Sequence, residues 1–307
     1  MNPLLSVVIP TRNPDRDSLT AVLAALRQQS LSEAAWELIV VDNGSSTSLD
    51  CTDQLDGHRR WRVVREDTIG LTHARMRGFT EARGEVIVLV DDDNVLDACY
   101  LEEALSIGRG AAYLGAWGGI IRPRYEDARL APPQTLHSLL TLRDAAEDSW
   151  SNDPAHHAST PWGAGLCVRA SVARQYIEEL ESSELRRSLD LSGSRLLYGG
   201  DTDITYTACR MGLGKGVFRS LTLEHLIPAT RCSAEYLCRV AEGRGYSEIL
   251  HHVALHGGLP HETTSLSARL LRGYRRLRLP ALERQVMAAH DRGRRQALRE
   301  LSGPVQA

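Results

Sequence analysis

A chain of 307 residues can hold one large α/β domain with an appended part, and its 36 Lys plus Arg against 39 Asp plus Glu leave a formal charge of only −3. That near balance argues against a global nucleic-acid binder, although the basic residues are almost all Arg and gather late in the chain. The cysteines Cys51, Cys99, Cys167, Cys209, Cys232 and Cys238 form no C-x-x-C pair or zinc-ligand spacing and read as free thiols of a reducing cytoplasm.

Leu5 to Pro10 is a short apolar strand entered almost directly from Met1, so neither a signal peptide nor a transmembrane helix is expected. Thr11, Arg12, Asn13 and Pro14 turn out of it. Asp17 or Ser18 is the expected cap of a helix whose Leu19, Val22, Leu23 and Leu26 fall at helical spacing. Glu37 to Val41 is the next strand, ending in Asp42, Asn43 and Gly44; strand, helix, strand is a βαβ opening. Arg62 to Arg65 is a weaker strand. Gly70 to Thr72 opens a helix to about Arg83, stopped by Gly84.

Val86 to Val90 is a continuous apolar run, the pattern of a strand buried on both faces inside a parallel sheet. Asp91, Asp92, Asp93 and Asn94 follow with no spacer. Ligands of open α/β sheets bind beyond the carboxyl ends of strands, and adjacent carboxylates repel unless a cation such as Mg2+ or Mn2+ lies between them. A solvated turn is the competing reading. Asp97 to Ile107 is helical in period, Leu114 to Ile121 strand-like, and Pro132 and Pro133 mark an irregular boundary. Gln134 to Ala146 is expected to be a helix, Trp150 to Gly165 an ordered loop, Leu166 to Arg169 a strand and Arg174 to Leu180 a helix. A helix is expected from Ile204 to about Met211, closed by Gly212; Val217, Phe218 and Ser220 to Leu226 read as edge-strand material. From Ala234 the chain is mostly helical.

Six pieces in order carry a resemblance: Val7 to Asn13, Ile39 to Ser45, Gly70 to Arg75, Val88 to Asp93 with its D-x-D, Gly163 to Gly165, and Gly199 to Asp203. Together they resemble glycosyltransferase family 2, the inverting nucleotide-sugar transferases. The resemblance implies a GT-A-like, Rossmann-type, mostly parallel sheet flanked by helices over 1–233, with a nucleotide-sugar half to about 122, an acceptor half from about 123, and a helical extension over 234–307. It implies a hexosyltransferase-like enzyme using Mn2+ or Mg2+, a nucleotide diphosphate sugar donor, and an acceptor that is a glycan, lipid-linked intermediate, peptide or small molecule.

By the same resemblance, Asp91 and Asp93 are metal ligands, Asp91 also reaching the ribose, with Asp92 third in rank beside them. Pro10, Thr11 and Asn13 line the nucleotide pocket, and Asp42 accepts from the base, unless it only closes an Asx-turn with Asn43 and Gly44. Arg75 is a phosphate or carboxylate partner or a surface charge. Asp201 is the general base and Asp203 its rival, although either acid could serve as a helix cap. The usual Glu before that base is Gly200 here, which keeps open a non-catalytic nucleotide-sugar binder or partner subunit. His225 adds a metal ligand or is structural, and Arg231 offsets diphosphate charge. Trp117, Trp162 and Tyr198 are candidate acceptor walls.

The Arg-rich tail holds Arg269, Arg272, Arg275, Arg276, Arg278, Arg284, Arg292, Arg294 and Arg295. It reads first as a solvated or subunit-contact helical face, because Glu283, Asp291 and Glu300 interrupt it, and second as a peripheral contact with anionic lipid at the inner membrane face.

Overall fold

The computed structural model describes residues 2–49, 51, 60–187, 189–190, 197–260 and 278–302. Its strands are β1 (Leu5–Thr11), β2 (Trp36–Asp42), β3 (Trp61–Arg65), β4 (Val86–Leu89), β5 (Asn94–Leu96), β6 (Leu114–Tyr125), β7 (Ser149–Ser151), β8 (Cys167–Arg169) and β9 (Gly214–Ile227). The helices are α1 (Arg16–Arg27), α2 (Leu71–Glu81), α3 (Tyr100–Gly110), α4 (Ala170–Glu181), α5 (Glu184–Arg187), α6 (Gly200–Arg210), α7 (Ala234–His256) and α8 (Ala281–Leu301).

One sheet runs in the order β3-β2-β1-β4-β8-β6-β9-β5, with β7 also on β9. From β3 to β4 every pairing is parallel. Beyond β4 the sheet is mixed: β8 is antiparallel to both β4 and β6, while β6 and β9 are parallel. β1 alternates Val7 and Ile9 into a core shared with α1 and α3, and Val8 into one shared with α2, α4 and α6. Both faces are covered, which is why β4 is an unbroken apolar run and β1 and β2 are interrupted within only by Ser6 and Glu37, which hydrogen-bond to each other at 2.7 Å; each large apolar side chain so buried contributes about 1.5–3 kcal/mol.

Several local expectations change. Asp15, not Asp17 or Ser18, caps α1 by accepting the Ser18 N–H at 2.9 Å. α2 stops at Glu81, and Gly84 serves instead where the Leu5 backbone passes, 2.6 Å from the site of a Cβ. Residues 134–146 are not one helix: a 3-10 helix spans Gln134–Leu140, Thr141 turns left-handed, and Arg143 bridges to Ile121. β9 is no edge strand, since β6 lies along one side and β5 and β7 along the other. α6 begins at Gly200, ahead of its expected start at Ile204.

The 150–165 loop is ordered, as expected. Buried Lys215 donates from below to the His156 carbonyl (2.8 Å) and the Thr160 hydroxyl. α7 and α8 touch backbone to backbone: a Cβ on Gly245 would lie 2.1 Å from the His290 carbonyl oxygen, and one on Gly293 1.8 Å from that of Glu242. Arg292 and Arg294 pair with Glu242 and Glu248 of α7. Arg269, Arg272, Arg275 and Arg276 lie outside the described residues, among which no helix is long and apolar enough to cross a membrane.

Candidate functional site

The parallel strands finish together. Thr11 ends β1 beside Asp42 of β2, and Asp42 lies beside Arg65 of β3. The three acids after β4 crown this carboxyl edge. The Asn94 N–H then closes a turn on the Asp91 carbonyl at 3.0 Å, and the chain enters β5, whose register sets Asn94 opposite His225 of β9. Strand pairing, not sequence proximity, therefore delivers Asp93 to His225.

Asp93 Oδ2 accepts from Arg231 Nη1 at 2.8 Å and lies 3.3 Å from His225 Nε2. His225 Nδ1 is 2.9 Å from the Leu140 carbonyl, which can only accept, so Nδ1 carries a proton; in the neutral ring Nε2 keeps its lone pair toward the acids. Burial opposes ionisation of Asp93, but His225 and Arg231 outweigh it and hold the carboxyl at about 2. Asp92 is pushed up to about 6 by burial, with Asp93 and Asp91 adding to it against the Thr11 hydroxyl bond. Burial also raises Asp91, whose carboxyl feels Arg75, Asp93, His225 and Asp201.

Among the described residues no three His, Cys, Asp or Glu side chains form a ready cage for a metal. Two donors do converge, Asp93 Oδ2 and His225 Nε2, and the buried Oδ1 of Asn94 beside them has no hydrogen-bond partner. Such a set suits a hard divalent ion that takes its remaining oxygens from a bound ligand.

A cavity of about 400 Å³ runs from this edge to the start of α6. It is lined by Pro10, Thr11, Arg12, Asn43, Arg75, the three acids, Asp190, Asp201, His225 and Arg231. A second cavity, about 270 Å³, meets it at Thr141, Tyr198, Gly199 and Asp201 and is walled by Trp162 and by Arg244, Ser247, Glu248 and His251 of α7. Asp201 stands at the junction. Its Oδ2 accepts the Gly163 N–H at 2.8 Å and its Oδ1 the Thr202 N–H at 2.8 Å.

Four expected residues are elsewhere. Asn13, in a left-handed turn (φ 49°), uses its side chain on Ser46, and Arg12 faces the cavity in its place. Asp42 is occupied by the Ser45 N–H (3.0 Å) and Arg65 (2.7 Å); burial alone would raise its pKa, but these bonds lower it, and Asn43 lines the cavity instead. Trp117 is core, fully buried beneath Arg169. Asp203 is fully buried and clamped by Arg186 Nε at 2.9 and 3.1 Å. Asp203→Ala is expected to cost about 1.5–3 kcal/mol, because Arg186 loses one buried carboxylate and keeps Glu179 at 2.8 Å, a loss visible in chemical denaturation, while ligand affinity of the folded fraction is unchanged.

Asp190, Arg244 and His251 had no motif to announce them. His251 Nε2 is buried without a partner, and burial brings the ring's pKa down to about 4. Its folded pKa lies below the ordinary 6.5, so between pH 6.5 and 4 the unfolded chain binds the proton first. Stability is therefore expected to fall over that window as acid is added, by at most about 3 kcal/mol. Denaturation midpoints measured across it are expected to flatten in His251→Phe.

The layered fold, the acid-crowned parallel edge and a carboxylate at a cavity junction are those of a GT-A type transferase. The family pattern for Glycosyl transferase family 2 matches residues 6–165, just over half of the chain, which therefore belongs to that family. The chain is 35% identical over 98 residues to a dolichol-phosphate mannosyltransferase of Mycosarcoma maydis, covering 30% of this chain and 33% of that one. It is 28% identical over 165 residues to a validoxylamine A glucosyltransferase of Streptomyces hygroscopicus subsp. limoneus, covering 49% and 35%. The match thus spans 35% or less of either relative's length. The crystal structure of S. aureus TarS 1-349 superposes with a TM-score of 0.52 at 14% identity, over 99% of this chain and 93% of that one, a likeness of fold.

Proposed function

We propose that this glycosyltransferase moves a sugar from a nucleotide diphosphate donor, with Mn2+ or Mg2+, to an acceptor hydroxyl with inversion at the anomeric carbon. The observation that carries the reading is the place of Asp201, where the two cavities meet, with the Asp93, His225 and Arg231 cluster in the larger one.

A donor whose diphosphate lies toward that cluster can direct its sugar to the junction, and an acceptor entering by the second cavity approaches opposite the leaving group. Inversion requires that approach. Asp201 takes the acceptor proton; the Gly163 and Thr202 amides fix its carboxylate and leave lone pairs free. The Arg231 guanidinium faces the negative charge of the departing diphosphate. Asp93 and His225, with Asp91 beside them, would hold a divalent ion, which would supply further neutralisation of that leaving group. Trp162 and Tyr198 offer aromatic faces to an acceptor sugar or ring. The relatives' names refer to dolichol phosphate and to validoxylamine A, two unlike compounds, and the acceptor class here stays unassigned.

The test is calorimetric titration of UDP, GDP, dTDP and CDP sugars with and without Mn2+. Metal-dependent binding of one nucleotide is the expected result; no binding of any would sink the donor and metal assignments together.

A further inference from the structure

Position 200 opens α6 one residue before Asp201, and the reason it is glycine lies ten residues earlier in the chain. Gly200 is not among the residues with positive φ, so backbone freedom is not what it provides. A Cβ there would stand 2.0 Å from Oδ2, 2.5 Å from Cγ and 2.8 Å from Oδ1 of Asp190. The volume belongs to that carboxylate, which is 6% exposed and lines the larger cavity.

Asp190 Oδ1 accepts the Gly200 N–H at 3.0 Å, one of the amide groups that the first turn of a helix leaves unpaired. Its Oδ2 accepts from Arg75 Nη1 at 2.8 Å and from the Thr72 hydroxyl at 3.2 Å. Arg75 is itself buried, and its Nη2 packs against Gly163, 2.8 Å from where a Cβ would be. Gly163 in turn donates to Asp201. Three separate segments thus close a ring, Asp190 to Arg75 to Gly163 to Asp201 and back through Gly200.

We infer that Asp190 is a positioning carboxylate for the acceptor-side site, supplied from outside α6 in place of the side chain that position 200 cannot carry. It anchors the start of α6 and Arg75 together and so aims Asp201. Its part in turnover rests on the glycosyl-transfer reading above; its place as the counter-charge of Arg75 does not.

The test relocates the carboxylate. Asp190→Ala, Asp190→Ala with Gly200→Ala, and Asp190→Ala with Gly200→Glu are compared with the parent. Thermal midpoint is one readout. The other is release of nucleoside diphosphate, with Mn2+ and water as acceptor, from whichever nucleotide sugar binds in the titration. Misaiming Asp201 is expected to cost the first two variants about 10²-fold in turnover, with a smaller change in donor KM because Asp190 and Arg75 also line the larger cavity. The double variant with Gly200→Glu is expected to regain most of that loss and to melt above the one with Gly200→Ala, because only the former restores a partner to Arg75. Equal turnover and equal melting of the two double variants would overturn the inference. So would a Gly200→Glu double variant that melts like the parent yet turns over no faster than its Gly200→Ala counterpart. If the parent itself releases no nucleotide, glycosyl transfer fails as a reading, and the melting comparison still decides whether position 190 stands in for position 200.

Discussion

Asp201→Asn is expected to lower turnover by about 10²–10⁴-fold, the range that loss of a general base costs, while donor affinity is unchanged. Asn has the same shape and keeps an oxygen for the Gly163 N–H that now meets Asp201 at 2.8 Å, so the variant removes the proton acceptor together with the bond from the Thr202 N–H, which the amide NH2 cannot accept. Nucleoside diphosphate release in single-turnover assays measures the chemical step, and calorimetry measures the donor. Undiminished turnover would move the base elsewhere. A parent that binds donor without any turnover would favour the non-catalytic binder.

The second large effect is expected from Asp93→Ala. The carboxylate is held ionised, at about 2, against burial by His225 and Arg231; its loss leaves the Arg231 guanidinium facing the cavity without its acid and His225 as the one remaining member of the converging pair. Metal-dependent nucleotide binding is expected to weaken by at least about 100-fold, since even second-layer partners of metal ligands cost 10–100-fold. Metal-free binding is expected to persist, because Arg231 no longer spends its charge on Asp93. Titrations with and without Mn2+ separate the two, and equal Mn2+ enhancement in both proteins would remove Asp93 from the ligand set.

The donor side of the fold was legible because its strands are buried on both faces, and such strands write themselves as nearly unbroken apolar runs. Val86 to Val90 ending in three acids carried both the sheet position and the site edge. β9 was not legible as a central strand, because Gly214, Gly216 and the polar residues Arg219 and Ser220 interrupt its apolar pattern. Asp201 and Asp203 look alike in sequence, yet two residues turn a helix by about 200°, so one acid reaches the cavity while the other is driven into the core against Arg186. Asp42 and Asn13 stay ambiguous in sequence for a related reason: an acid or amide before a turn has the same local signature whether it binds a ligand or ties the turn to itself. Asp190 stands alone between leucines at 189 and 191, with nothing nearby to mark it; only the packing on Gly200 exposes it.

The glycine contact between α7 and α8 separates two kinds of inheritance. The family pattern ends at residue 165, before either helix begins, whereas the second cavity takes Arg244, Ser247 and His251 from α7. Because Gly245 and Gly293 lock α7 to α8 along their backbones, the pair is set to change as one cassette rather than residue by residue. On the proposed reading, the acceptor wall that α7 supplies is thus written apart from the acid edge, while His225 and Arg231 of the donor cluster sit on β9 and the turn after it. A lineage can exchange that wall while leaving the acid edge untouched, and the two can drift at unequal rates.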